Sequence, residues 1–239
     1  MFETCSMTLL ADARPTPMPA AVSELQARIR QMQATKLAER SLPMLDAVRA
    51  ILPEGLRPGG TYSVTGSTSL AIALLAGPSR QGAWCGALGL PTLSTEAAAE
   101  LGIDLDRLVL VPSPDTRWMA VAAAMTDVLD IVIAAPPARM APTEAARLAA
   151  RLRQRESTLV VLGDWPQADA SIRATTSTWS GLGAGHGHLT GRRLRVEVTP
   201  RGGRERTRTL TLPIDPETAP AHDEPSAQQG LRLAPELAG

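Results

Sequence analysis

From residue 20 to residue 52, apolar positions recur at three- and four-residue steps, the spacing of one helix face. Val22, Leu25, Ile29 and Met32 form the first stretch, and Leu45, Val48, Ile51 and Leu52 the second. Pro43 lies between them and removes a helical hydrogen bond, so two helices are predicted. The stretch from Pro53 to Gly60 reads as turns. Beyond it, short apolar runs alternate with helical patterns. Strands are predicted at 61–65, 83–88, 108–112, 130–134 and 158–162, with helices at 70–76, 94–101, 116–129 and 143–154 between them. Ser94 or Thr95 suits the start of the second helix, Gly102 its end, and Thr143 the start of the last. Such alternation predicts an α/β fold whose mostly parallel sheet is flanked by helices. The rhythm then changes. Segments 171–180, 189–199 and 207–212 are β-rich and separated by glycine-rich turns, which predicts antiparallel strands extending one sheet edge.

The ends differ in composition. Residues 1–19 carry Pro15, Pro17 and Pro19 and read as a flexible leader. From residue 213 the chain is polar, acidic and proline-containing, which predicts a disordered tail. The expected organisation is a leader at 1–19, a helical segment at 20–52, a core at 53–212 and the tail at 213–239. With 44% apolar and 20% charged residues in 239, the chain can bury a core. Aromatics are only 3%, so that core must be built from Ala, Leu, Val and Ile. No apolar run reaches the ~18 residues of a membrane helix, and no basic segment followed by an apolar stretch opens the chain. Cys5 and Cys85 have neither metal-binding nor redox spacing. A soluble, cytoplasmic protein is expected.

Zero net charge hides a partition. Residues 139–209 carry 13 basic and 6 acidic side chains, whereas residues 210–239 carry 1 and 5. Nearly all the positive charge is arginine; Lys36 is the only lysine. An arginine-rich face can meet phosphates or an acidic partner. It can equally be a solvated helix face and charge-guarded strand edges.

Three stretches carry a family likeness. Leu56-Arg57-Pro58-Gly59-Gly60-Thr61-Tyr62-Ser63-Val64-Thr65-Gly66 resembles the turn and first strand leading into the phosphate loop of RecA-like ATPases. Leu101 to Leu108, followed by Pro114-Asp115, resembles the segments around that family's third strand. The likeness covers residues 52 to about 212 and implies a RecA-like core. The chemistry of ATP hydrolysis is missing from it. Gly66-Ser67-Thr68-Ser69-Leu70-Ala71 stands where G-x-x-x-x-G-K-[ST] would be, shortened and without lysine. The strand Ile131-Val132-Ile133-Ala134-Ala135 ends without a carboxylate for magnesium, and Gly89 and Leu90 follow the second strand where a glutamate would stand. A pseudo-ATPase with no cofactor is expected. Within the superfamily, Trp179 to Gly183, Gly185 to Leu189 and Gly191 to Leu194 resemble the ImuA group of RecA-like, SulA-like mutagenesis accessory factors, in its actinobacterial branch. That resemblance implies a non-catalytic adaptor in SOS-induced translesion synthesis. Its implied partners are a Y-family polymerase-like protein, ImuB, and an error-prone DnaE-type polymerase. A DNA-binding recombinase-like protein and a SulA-like division inhibitor are the alternatives.

Several side chains are candidates for contact. Ser67, Thr68 and Ser69 after Gly66 can hold an anion at a helix start, or simply cap the helix. Trp165 and Trp179, with Arg173 between them, can stack on bases and neutralise phosphates, anchor a protein interface, or fill core. Trp118 reads as core. Arg192 and Arg193, with Trp179, are partner-binding candidates, as are Leu231, Leu233 and Leu237, an apolar handle in a polar tail. His186 and His188 sit in a glycine-rich turn with no third metal ligand nearby, so no metal is expected. Cys85 reads as packing.

Overall fold

A computed structural model describes residues 41–181 and 191–213. The described residues from Leu42 onward belong to one compact unit. It is a mixed α/β fold in which eight strands form one sheet, in the order β3-β2-β4-β5-β1-β6-β7-β8. The strands are β1 Thr61–Thr65, β2 Cys85–Leu88, β3 Leu108–Val111, β4 Ile131–Ala134, β5 Thr158–Leu162, β6 Ala170–Ser180, β7 Gly191–Pro200 and β8 Arg206–Pro213. Strands β1 to β6 pair in parallel. Strands β7 and β8 continue the sheet antiparallel from β6. The mostly parallel sheet flanked by helices that the sequence predicts, with antiparallel strands at its C-terminal edge, is present.

The helices are α1 Asp46–Arg49, α2 Thr68–Arg80, α3 Thr95–Glu100, α4 Trp118–Thr126 and α5 Pro142–Arg155. The segment around α1, together with α2 and α3, fills one sheet face. Val48, Leu56, Leu70, Leu74 and Ile103 meet Val64, Ile172, Leu194, Val196 and Leu210 there. Helices α4 and α5 cover the other face, where Trp118, Ala122, Leu148 and Leu152 pack on Val132, Leu159 and Val161. Each fully buried leucine supplies on the order of 2 kcal/mol. With almost no aromatic residues, stability rests on many such contacts. The predicted helical run before Pro43 lies outside the described residues, as does most of the expected tail.

Several helix limits differ from expectation; α4 spans Trp118–Thr126 and not 116–129, and α2 begins at Thr68. Helix α2 does not stop at residue 76; it runs through Gly77 and Pro78 to Arg80. Pro78 sits near the helix end, and Gly77 lets the helix touch the chain at Pro43 and Met44. A β-carbon on Gly77 would lie 2.4 Å from the Pro43 carbonyl oxygen and 2.5 Å from Met44 Cα. Thr143 does not cap α5. The N-cap is Ala141, with no side-chain hydrogen bond, and Pro142 opens the helix with its φ already suited. Ser94 does cap α3, accepting from Ala97 N–H at 3.2 Å.

Candidate functional site

The carboxyl end of β1 turns into α2 through Gly66 and Ser67. Gly66 has φ +83°, and a β-carbon there would lie 2.3 Å from the Ala174 carbonyl oxygen on β6, so glycine is required. Ser67 is the N-cap of α2, and its Oγ accepts from Leu70 N–H at 3.2 Å. Its hydroxyl is buried and used internally. Thr68 is exposed. Ser69 takes part in a longer-range contact: Arg192 on β7 donates from Nη1 to Ser69 Oγ at 2.8 Å.

Arg192 is held from two further sides. Its Nε donates to Ser177 Oγ at 2.8 Å, and its guanidinium lies 4.9 Å from the centre of the Trp179 ring. The β6–β7 register pairs Trp179 with Arg192, which places both on one sheet face. Trp179 remains half exposed. The start of α2 thus meets both arms of the β6–β7 hairpin, which lies more than 100 residues further along the chain. A permanent cation stands over the loop, but it comes from the hairpin and not from the helix where a phosphate-loop lysine would be. The end of β4 offers Ala134 and Ala135, and the Ala135 carbonyl is occupied by Trp118 Nε1–H at 2.9 Å. The chemistry present is cation, hydroxyl and aromatic face, suited to binding.

The other candidates separate. Arg193 follows Arg192 by one residue and therefore points to the opposite sheet face, where it is exposed. Arg173 is exposed on that same outer face of β6. Trp165 is buried, 7% exposed, and packs on Trp118 with ring centres 6.3 Å apart. Trp165 is thus placed in the core, partnered with Trp118 and not with Arg173. Leu231, Leu233, Leu237, His186 and His188 lie outside the described residues. Cys85 is buried, and burial pushes its thiol up to about 11. It is an inert packing group at neutral pH.

Sequence reasoning passed over Trp84, which is 47% exposed just before β2. The strand predicted at 108–112 is present as β3 but lies at the sheet edge, where Leu110 is exposed on one face and Val109 on the other, beside Val128 of the turn after α4. An apolar run reads as buried until the sheet order shows which strand lies at the edge. At the amino end of β1, a cleft of about 260 Å³ is lined by Leu52, Arg57, Tyr62, Asp169, Arg201 and Arg206. It lies at the opposite end of β1 from Gly66.

Comparison with known proteins finds likeness over the segment that carries strands β1 to β5. Residues 50–167 match the family model described as the MT3502 N-terminal domain. Over 124 residues the chain is 34% identical to the uncharacterised protein Rv3395c of Mycobacterium tuberculosis (strain ATCC 25618 / H37Rv). That alignment takes in 51% of this chain and 61% of the relative. The family match reaches from just after α1 to the loop before β6 and takes in Gly66 to Ser69. Trp179, Arg192 and Arg193 lie beyond it. No helix among the described residues is long and apolar enough to cross a membrane.

Proposed function

We propose that this chain is a non-catalytic, RecA-like adaptor of the ImuA type, acting in the cytoplasm in SOS-induced translesion synthesis. Its partner would be a Y-family polymerase-like protein of the ImuB kind, with an error-prone DnaE-type polymerase in the same assembly. The observation that supports this most is the loop after β1. The Ser67 and Ser69 hydroxyls are committed to a helix cap and to Arg192, no lysine is present, and the ends of β2 and β4 carry no carboxylate. A protein that keeps the architecture of a nucleotide-driven machine without its chemistry is suited to presenting surfaces. Trp179 stacked on Arg192 joins the two side-chain types that dominate interface energetics.

The test is affinity capture of the tagged full chain from DNA-damaged cells, followed by mass spectrometry and reconstitution with the purified polymerase-like partner. Specific capture, weakened about tenfold or more by Trp179→Ala as expected of an interface anchor, supports the reading. Capture unaffected by Trp179→Ala, Arg192→Glu and removal of residues 214–239 together, with circular dichroism unchanged, overturns it. A DNA-binding recombinase-like role is the second reading, and the exposed Arg173 and Arg193 favour it. Under that reading, oligonucleotide affinity would fall steeply with salt.

A further inference from the structure

The helix layer on the outer face covers β2, β4 and β5, while the outer positions of β6 to β8 stand exposed. The register makes that face a regular grid. Thr178 on β6, Arg193 on β7 and Thr211 on β8 form one row. Thr176, Arg195 and Thr209 form the next, and all six side chains are exposed. Neither arginine makes an ion pair with any described residue. Each row therefore offers a guanidinium flanked by two hydroxyls, donors suited to a carboxylate. Rows two residues apart along a strand are ~6.8 Å apart.

The chain itself carries the complement. Strand β8 is the edge strand and ends at Pro213, two residues beyond Thr211. Residues 214–239 follow, with five acidic side chains and one basic. Asp215 and Glu217 stand two residues apart, the same spacing as Arg193 and Arg195. From Pro213, where β8 ends, to Asp215 is two residues, a reach of up to ~7 Å, to which the long arginine side chain adds its own length. The neighbouring strand that carries Arg193 is only ~4.8 Å away. Glu197 lies next along β7 on the same face and would repel an acidic chain, which limits the docking site to the two arginine rows.

We infer that the Arg193/Arg195 face of β6–β8 docks the start of the chain's own acidic tail, through Asp215 and Glu217. The tail then competes with any external polyanion for this face. A partner that captures the tail uncovers the arginines. The contact is electrostatic and surface-exposed, so salt must release it: the screening length falls from ~30 Å at 0.01 M to ~3 Å at 1 M ionic strength.

Digestion of the full-length protein by a glutamyl endopeptidase tests this. Cleavage after Glu217 is followed at low and high salt, each rate being divided by that of a free peptide spanning residues 213–226. The wild type should be cut about three- to tenfold more slowly than the peptide at low salt, the range expected for two exposed ion pairs, and as fast as the peptide at high salt. Arg193→Glu/Arg195→Glu should be cut at the fast rate at both salts, and Arg193→Gln/Arg195→Gln should lie between. The substituted side chains are exposed, and circular dichroism checks the fold. Equal normalised rates for wild type and the Glu variant at low salt would overturn the proposal. So would loss of oligothymidylate binding in the Glu variant with unchanged tail cleavage, since the face would then serve an external nucleic acid.

Discussion

Tyr62 is the only tyrosine in the chain, so its phenolate absorbance reports one site. The ring is 3% exposed beneath the turn at Pro53–Gly60. Its Oη accepts from Arg57 N–H at 2.8 Å and donates toward the Gly55 carbonyl at 3.4 Å. Burial, opposed in part by the Arg57 hydrogen bond, pushes the hydroxyl up to about 12 from 10.0. Between those values the folded protein keeps a proton that the unfolded chain has released. The stabilising contribution is thus whole below pH 10 and is lost as pH rises through about 12. Its size is on the order of 2–3 kcal/mol. Spectrophotometric titration should give a midpoint near 12 for the native protein and near 10 in denaturant. Tyr62→Phe should flatten the fall in stability over this window, while costing about 1 kcal/mol at neutral pH through the lost Arg57 bond. A native midpoint at 10 would show that the ring is solvated.

At the scale of elements, the sequence pattern carried all eight strands, because buried parallel strands are short apolar runs and the C-terminal ones alternate. What it left unread depends on partners distant along the chain. Gly77-Pro78 looks like a helix end, yet α2 continues because its last turn is packed against Pro43 and Met44. The period-two alternation of β7 separates Arg192 from Arg193, but only the pairing with β6 and the approach of α2 tell which faces Ser69. Ser67 and Ser69 were legible as a helix start; a bond from residue 192 to residue 69 was not, since it rests on the order of strands in the sheet. Trp84 and Trp165 look alike in sequence, and only Trp118 decides that the second is core. One prediction turns on this scale. Alanine is a better helix former than glycine by ~1 kcal/mol, so propensity says that Gly77→Ala stabilises α2. The backbone contacts at 2.4 and 2.5 Å say the reverse. Overpacking against backbone should dominate, with a net loss of about 1–3 kcal/mol. Urea denaturation reads the sign directly, and a gain in stability would mean that the Pro43–Met44 segment yields.

For the molecule as a whole, the question is whether a sheet of this order, with this loop after β1, still responds to nucleotide. Binding would need backbone N–H groups wrapped around phosphates, a cation reaching the outer phosphates, and a hydroxyl with a carboxylate for magnesium. Here the loop is shortened, Ser67 Oγ is spent on Leu70 N–H, and Ser69 Oγ is spent on Arg192. Removing the guanidinium by Arg192→Ala frees Ser69 but restores neither the lysine nor the carboxylate. Both wild type and Arg192→Ala should therefore show an unchanged thermal midpoint in millimolar ATP with magnesium. The measurement has the sensitivity to decide. A ligand at a hundred times its dissociation constant stabilises by about 2.7 kcal/mol, which in a domain of this size moves the midpoint by about 5–10 °C. Such a shift in the wild type, abolished by Ser69→Ala, would mean that the loop holds phosphate after all and that the adaptor reading must give way to a nucleotide-dependent one. Such a shift in Arg192→Ala alone would mean that the arginine, and not the missing groups, is what keeps nucleotide out.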